Sequence, residues 1–450
     1  MTLTVLNPAT EEPIAQLEQA GVEETDAAVA RAKAAYPAWS AVSPADRARL
    51  LRRLATLVEE NLEELARVES QNVGKPIAGA RGEIGMVAQV FHFYAGAIDK
   101  HGGETIPVSG GVAATFHEPL GVVGLIVPWN FPANIASWKL GPALACGNTV
   151  VLKPAELTPL SAIRLGELCL EAGIPDGVVN VLVGKGSVVG QRLIEHPDVA
   201  KIAFTGSTEV GRRVMQGSAG TIKRVTLELG GKSANVIFED ADLERSAAAA
   251  PYSVFDNAGQ DCCARSRILV QRSVYDRFLD RLVDATRGVK VGDPSSDDTE
   301  MGPLVSAAHR ETVASFVDEE PTFRGETPAG PGYWYPCTIV EATNEDRVAR
   351  EEVFGPVAAV IPFEDEADAI RISNDTPYGL SGSIWTRDGA RALRMARATE
   401  AGVLSVNANT SVRVQTPFGG FKQSGFGREL GMQALDGYSE VKSVFISTEG

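Results

Sequence analysis

From Ser43 to Gln71 apolar residues recur at helical spacing, with Leu50, Leu51, Leu54, Leu57, Val58, Leu62 and Leu65 forming one stripe. Ser43, Pro44 and Asp46 read as a helix start: a hydroxyl cap, a proline whose missing N–H costs nothing at the first turn, and a carboxylate near free N–H groups. The pattern predicts one long amphipathic helix over the whole stretch. Beyond residue 120 the texture changes. Short β-branched runs at Val122–Val127, Thr149–Leu152, Val178–Val183, Lys201–Phe204 and Arg224–Glu228 are each followed by turn residues and helical stretches such as PLSAIRLGELCLEAG. Strands alternating with helices imply βαβ units and a mostly parallel sheet. A second α/β block, from about residue 231 to 420, carries strands at Arg267–Val270 and Ala358–Ile361. The closing YSEVKSVFIS reads as a strand with no neighbour in sequence, so another subunit or a distant hairpin should claim it.

Length and composition narrow this picture. At 450 residues the chain is long enough for two or three domains, and 44% apolar with 22% charged residues is the balance of a globular protein. No apolar stretch approaches a membrane span, and the N-terminus lacks the pattern of a secretory signal, so a cytoplasmic location is expected. A formal charge of −16 disfavours nucleic acid and anionic membranes as partners. Five scattered cysteines fit no disulfide framework, and the five histidines form no HxxxH or CxxH pattern, so no metal site is expected.

Several motifs carry candidate chemistry. VLVGKGSVVG ends a strand at Gly184, Lys185 and Gly186, with Gly190 further on; it is one residue too long for the dinucleotide fingerprint and fits a plain strand-to-helix turn equally well. In FTGSTEVG, Gly206 and Ser207 precede a helix whose free N–H groups suit a pyrophosphate, although Ser207 also reads as an N-cap. KPAE presents Lys153 and Glu156 either to the hydroxyls of a ribose or as an exposed ion pair. PWNFP holds Trp129, Asn130 and Phe131 in a stiff turn, and an amide so presented can donate to a developing oxyanion or cap the turn. Glu228 ends a strand before a Gly-Gly turn, as a general base or a solvated loop residue. NAGQDCCARSR sets Asp261, Cys262 and Cys263 side by side, while EEVFGP and PFGGFKQSG read locally as an acidic turn and a glycine-rich loop.

PWNFP, KPAE, FTGSTEVG, ELGGKS, GQDCCA, EEVFGP and PFGGFKQSG occur here in the order shown by the NAD(P)-dependent aldehyde dehydrogenase superfamily, and the resemblance runs from Asn7 to the final strand. It implies an α/β aldehyde dehydrogenase fold: a Rossmann-like NAD-binding domain over residues 1–100 and 120–230, an α/β catalytic domain over 231–423, and a small β oligomerisation element over 101–119 and 424–450. It further implies that Cys262 is the nucleophile, Asn130 an oxyanion donor and Glu228 the base that activates water. For the cofactor, the resemblance implies Lys153 and Glu156 at the adenosine ribose, Trp129 and Ser207 near the pyrophosphate, and Gly186 and Gly190 on the adenine side. Glu352 would hold the nicotinamide ribose with Phe354 beside it, and Pro128, Phe204, Gly206 and Leu229 complete the set. The Glu156 carboxylate would repel a 2′-phosphate, which favours NAD over NADP. Such enzymes are homodimers or homotetramers.

By offset from the matched motifs, Met86, Phe131, Trp138, Asp261, Cys263 and Val412 are expected to line the substrate tunnel. The GQDC stretch resembles bacterial aminoaldehyde oxidisers such as 4-aminobutanal and betaine aldehyde dehydrogenases, and Asp261 could pair with a cationic amine or merely cap a turn. The segment around 316–332 is shorter than the family pattern, which predicts a trimmed surface element. Two rival functions are a CoA-acylating semialdehyde dehydrogenase, which the presence of Glu228 disfavours, and a catalytically silent structural protein on the same fold, which the presence of Asn130, Glu228 and Cys262 disfavours. A redox switch between Cys262 and Cys263 would need a strained ring.

Overall fold

The computed structural model describes residues 2–317, 320–410 and 412–449. Five parallel strands form the first sheet in the spatial order Arg224–Glu228, Val199–Thr205, Val122–Ile126, Thr149–Lys153, Val179–Val181, and Gly425–Phe426 adds an antiparallel edge beside Arg224–Glu228. Numbered along the chain, the parallel strands run 5-4-1-2-3, so the order reverses between Val122–Ile126 and Val199–Thr205. A crevice opens outside the carboxyl ends of strands at such a reversal, which is where open α/β sheets take ligands. Pro128 and Trp129 follow the first of these strands, and Gly206 and Ser207 follow the second.

The second sheet has seven strands, in the order Phe323–Arg324, Thr338–Glu341, Val357–Phe363, Arg267–Gln271, Ala234–Ile237, Ser381–Trp385, Val403–Val406, all parallel except the first. The 316–332 segment carries an edge strand at Phe323–Arg324; residues 318 and 319 within it lie outside the described residues. The C-terminal strand Ser439–Ser447 is claimed by the distant hairpin: it pairs antiparallel with Gly111–Pro119, which also pairs with Thr105–Val108. Within the stretch 424–450, Gly425–Phe426 belongs to the first sheet, because the glycine-rich turn before it brings its backbone against Leu227 and Glu228.

The single helix expected from Ser43 to Gln71 is two helices, Pro44–Glu60 and Leu62–Val73. Asn61 divides them at φ −105°, ψ 19°. Its backbone N–H and its side-chain amide both donate to the Leu57 carbonyl, at 3.0 and 2.8 Å, so the side chain competes for the acceptor of the preceding turn. The apolar stripe survives the break. Leu51, Leu54, Val58 and Leu65 are fully buried, each contributing about 1.5–3 kcal/mol of apolar transfer. Among the described residues no helix is long and apolar enough to cross a membrane.

Candidate active site

Cys262 lies where two cavities meet. The first, about 500 Å³, occupies the crevice at the strand-order reversal and is lined by Pro128, Trp129, Asn130, Lys153, Glu156, Gly186, Phe204, Gly206, Ser207, Glu228, Leu229, Glu352 and Phe354, among others. The second, about 300 Å³, is lined by Met86, Phe131, Trp138, Asp261, Cys263 and Val412 together with residues not foreseen. Phe131, Ile135 and Cys262 belong to both walls. A reacting atom at Cys262 is therefore reachable from either side.

The backbone before the cysteine is unusual. Asn257, Ala258 and Gly259 have φ of 49°, 56° and 71°, a left-handed run that non-glycine residues seldom adopt. Side chains hold it: Asn257 Nδ2 donates to the Asn130 carbonyl at 3.0 Å, Gln260 Nε2 to the Asn257 carbonyl at 2.9 Å, and Gln260 Oε1 accepts from the Val305 N–H at 2.8 Å. Gly259 is required, since a Cβ there would lie 2.2 Å from the Gly355 carbonyl oxygen. Asn130 Nδ2 donates to the Gln260 carbonyl at 2.9 Å, which fixes the amide and leaves its second N–H for another acceptor. The Cys262 thiol is pushed well above its ordinary pKa, first by its hydrogen bond with Cys263 and then by burial.

Glu228 ends its strand fully buried, and neither carboxylate oxygen has a hydrogen-bond partner among the described residues. Burial, then the negative charge of Glu429, raises its pKa well above the ordinary range. A buried carboxyl with free valences on a cavity wall is a proton acceptor in waiting. Glu352 accepts from the Gly231 N–H at 2.8 Å, and burial lifts it to about 7.

On the crevice wall, Lys153 Nζ donates to the Pro154 carbonyl at 2.9 Å and lies 4.0 Å from Glu156, whose carboxylate accepts from the Gly186 N–H at 3.2 Å. Ser207 is an N-cap after all: its Oγ accepts from the Val210 N–H at 3.4 Å. It nevertheless faces the crevice, beside the buried Thr205 hydroxyl, which has no hydrogen-bond partner among the described residues. A Cβ on Gly186 would meet nothing within 4 Å. An ammonium, hydroxyls, a helix N-terminus and two carboxylates spaced along one crevice suit a dinucleotide, with its pyrophosphate and two ribose diols. Gly190 is buried at the end of a π-helical turn, Gly186–Gly190, and a Cβ on it would lie 3.8 Å from Ile126, which lines the same crevice.

The second cavity holds three carboxylates, since Glu83 and Asp256 join Asp261. Asp261 caps the turn, its Oδ1 accepting from the Cys263 N–H at 2.9 Å, and the residue also lines the cavity. Burial raises the pKa of all three. Lys75 sits between Glu69, 3.3 Å away, and Glu83, and lies 4.6 Å from the centroid of the Phe131 ring. Trp138 donates to Asn134 Oδ1 at 3.0 Å and meets Phe418 edge-on at 5.1 Å. Gly79, Gly82, Glu83 and Met86 recur at helical spacing on the helix Ile77–Ala97, so the signal for this wall was present as one small-and-polar face. His309, also unforeseen, donates from Nε2 to the Phe354 carbonyl at 2.8 Å and meets the Trp129 ring at 5.2 Å. It braces Phe354, whose φ is 55°.

A further cavity of about 630 Å³ lies along Phe323–Pro328. Its one thiol, Cys337, is buried and pushed up to about 12, so no nucleophile serves it.

Comparison with known proteins gives a consistent assignment. The aldehyde dehydrogenase family model matches residues 1–444. An aldehyde dehydrogenase of Aspergillus niger is 44% identical over 98% of this chain and 91% of its own length. The crystal structure of PnpE, a Pseudomonas protein, in complex with nicotinamide adenine dinucleotide superposes with a TM-score of 0.98 at 44% identity, covering 100% of this chain and 95% of that one. Betaine aldehyde dehydrogenase of Staphylococcus aureus in complex with NAD+ gives 0.97 at 37% identity, covering 100% and 92%. The chain belongs to the aldehyde dehydrogenase family and is an oxidoreductase of that type.

Proposed function

We propose that this enzyme oxidises an aldehyde bearing a positive charge to its carboxylic acid, with NAD as acceptor. The observation that carries the reading is the position of Cys262, at the junction of a crevice suited to a dinucleotide and a cavity lined by carboxylates and aromatic rings. The Cys262 thiol gives up its proton to water as its sulfur attacks the aldehyde carbon, and the oxygen that becomes negative is held by the free N–H of Asn130 and the backbone N–H of Cys262. Bound NAD supplies the oxidising power by accepting hydride. The thioester left on Cys262 is cleaved by water from which Glu228 takes a proton, and the carboxylic acid departs. Glu228 in this place supports hydrolysis over transfer to CoA. Lys153, Glu156, Ser207 and Glu352 hold the cofactor, and the Glu156 carboxylate disfavours NADP.

Asp256 and Asp261 are costly to bury, and so is Glu83 even with Lys75 beside it; burial raises the pKa of all three. A cationic substrate head would relieve that cost, and Phe131, Trp138 and Phe418 supply ring faces for its methylenes or methyl groups. Following NADH formation with 4-aminobutanal, betaine aldehyde, propanal and phenylacetaldehyde tests this, with Cys262→Ala as control. Preference for the cationic aldehydes is expected. Turnover confined to neutral aldehydes would overturn the substrate reading, and activity in the control would overturn the mechanism.

The chain is further read as a homo-oligomer, joined through the three-stranded sheet. Val441, Phe445 and Ile446 leave a row of large apolar side chains more than half exposed on its edge strand. Light scattering on the eluting protein should give a dimer or tetramer mass; a monomer would refute this.

A further inference from the structure

We propose that His101, His117 and Asp436 form a binding site for a divalent transition-metal ion, zinc above all, at the root of the three-stranded sheet. The histidines are far apart in sequence and form no ligand motif, which is why the sequence gives no sign of a metal. The hairpin and the residues leading into it bring the two rings together, tilted by 45° with centroids 3.9 Å apart, and the turn before the C-terminal strand adds Asp436. One ring nitrogen of each histidine and a carboxylate oxygen of Asp436 lie within 4.8 Å of one another.

The hydrogen bonds fix which ring nitrogens carry protons. Ser439 Oγ donates its one proton to the Leu435 carbonyl at 3.0 Å. It also contacts His101 Nε2 at 3.0 Å and His117 Nδ1 at 3.2 Å, and with its proton spent it can only accept from them. Each imidazole therefore carries its hydrogen toward Ser439, leaving lone pairs on His101 Nδ1 and His117 Nε2. Metal-bound histidines are oriented in the same way, through a hydrogen bond made by the other ring nitrogen.

His101 Nδ1 then faces Asp436 Oδ1 at 3.9 Å, lone pair toward carboxylate, and a cation placed between them would take both. Two imidazoles and a carboxylate, with water in a fourth position, make an ordinary zinc donor set, and zinc bond lengths require ligand atoms roughly 3.3–3.5 Å apart. Asp436 is exposed and can close that gap by a side-chain rotation.

The test is a titration of the chelator-treated, full-length protein with Co2+, followed by displacement with Zn2+. The expected result is one Co2+ per chain at this site, giving visible d–d bands with no thiolate-to-metal charge-transfer band, and displaced by Zn2+. Asp436→Asn, which alters only an exposed carboxylate, and His117→Gln should each weaken Co2+ binding at least about tenfold and leave NADH formation unchanged. Identical titrations in wild type and both variants would overturn the site. So would a thiolate band as the sole signal, which would place the ion at the other cluster of ligands, Asp261, Cys262 and Cys263.

Discussion

Replacing Asn130 by alanine separates its chemical role from its structural one. The side chain is buried and makes one side-chain hydrogen bond, Nδ2 to the Gln260 carbonyl at 2.9 Å. Losing a neutral bond of this kind costs about 1 kcal/mol. The acceptor is not stranded, because Asn257 Nδ2 also reaches the Gln260 carbonyl at 3.3 Å, and the Asn257 contact to residue 130 is to a backbone carbonyl that alanine keeps. The variant should therefore lose about 1–2 kcal/mol of the 5–15 kcal/mol typical of a folded domain and remain folded. Loss of one oxyanion donor costs about 2.7–4 kcal/mol in the transition state, or about 10²–10³ in kcat. Because the oxyanion exists only after attack, kcat and kcat/KM should fall together and KM should hold. Steady-state NADH formation, with circular dichroism and thermal melting on the same preparation, measures both quantities. A folded variant whose kcat falls less than about tenfold would refute the oxyanion role.

The remaining expectations follow from the buried carboxyls. Asp261→Asn, or Glu83→Gln with Asp256→Asn, should raise KM for a cationic aldehyde about 10–100-fold by removing charged hydrogen-bond partners, while KM for propanal stays within about threefold; equal changes for both substrates would argue against charge recognition. Since burial raises the pKa of all three carboxyls, KM for the cationic aldehyde should climb as pH falls and they are neutralised, with no such climb for a neutral aldehyde; a pH profile of KM for the pair decides this. Glu228 has a folded pKa above its unfolded value, so its ionisation costs stability as pH rises past the unfolded value of about 4. Glu228→Gln should therefore melt higher than wild type at alkaline pH, by about 1–3 kcal/mol, and lose that advantage below about pH 4; equal melting curves at alkaline pH would show the carboxyl is not buried as described.

Most of the crevice was legible because it is built from strand ends. Trp129, Asn130, Lys153, Ser207 and Glu228 each follow a β-branched run within a few residues, so local pattern places them at one edge of a parallel sheet. What stayed hidden depends on tertiary packing or on small backbone choices. Glu83 and Asp256 stand on separate helical segments, and only folding brings them beside Asp261. The π turn Gly186–Gly190 was hidden too, since its one extra residue is a matter of hydrogen-bond register. Asn61 broke a helix whose apolar stripe continues across the break, because periodicity records burial and not the competition of a side-chain amide for a carbonyl. His309 acts through an aromatic contact with Trp129 that no spacing encodes.

The central claim is a covalent intermediate on Cys262 that Glu228 is needed to release. Intact-protein and peptide mass spectrometry of Glu228→Gln, quenched after mixing with NAD and the preferred aldehyde, tests it most directly. The account predicts one NADH formed per active site, and on the peptide carrying Cys262 an added mass equal to the aldehyde less a hydride and a proton. Sustained turnover at the wild-type rate, or an NADH burst with no adduct on Cys262, would contradict it.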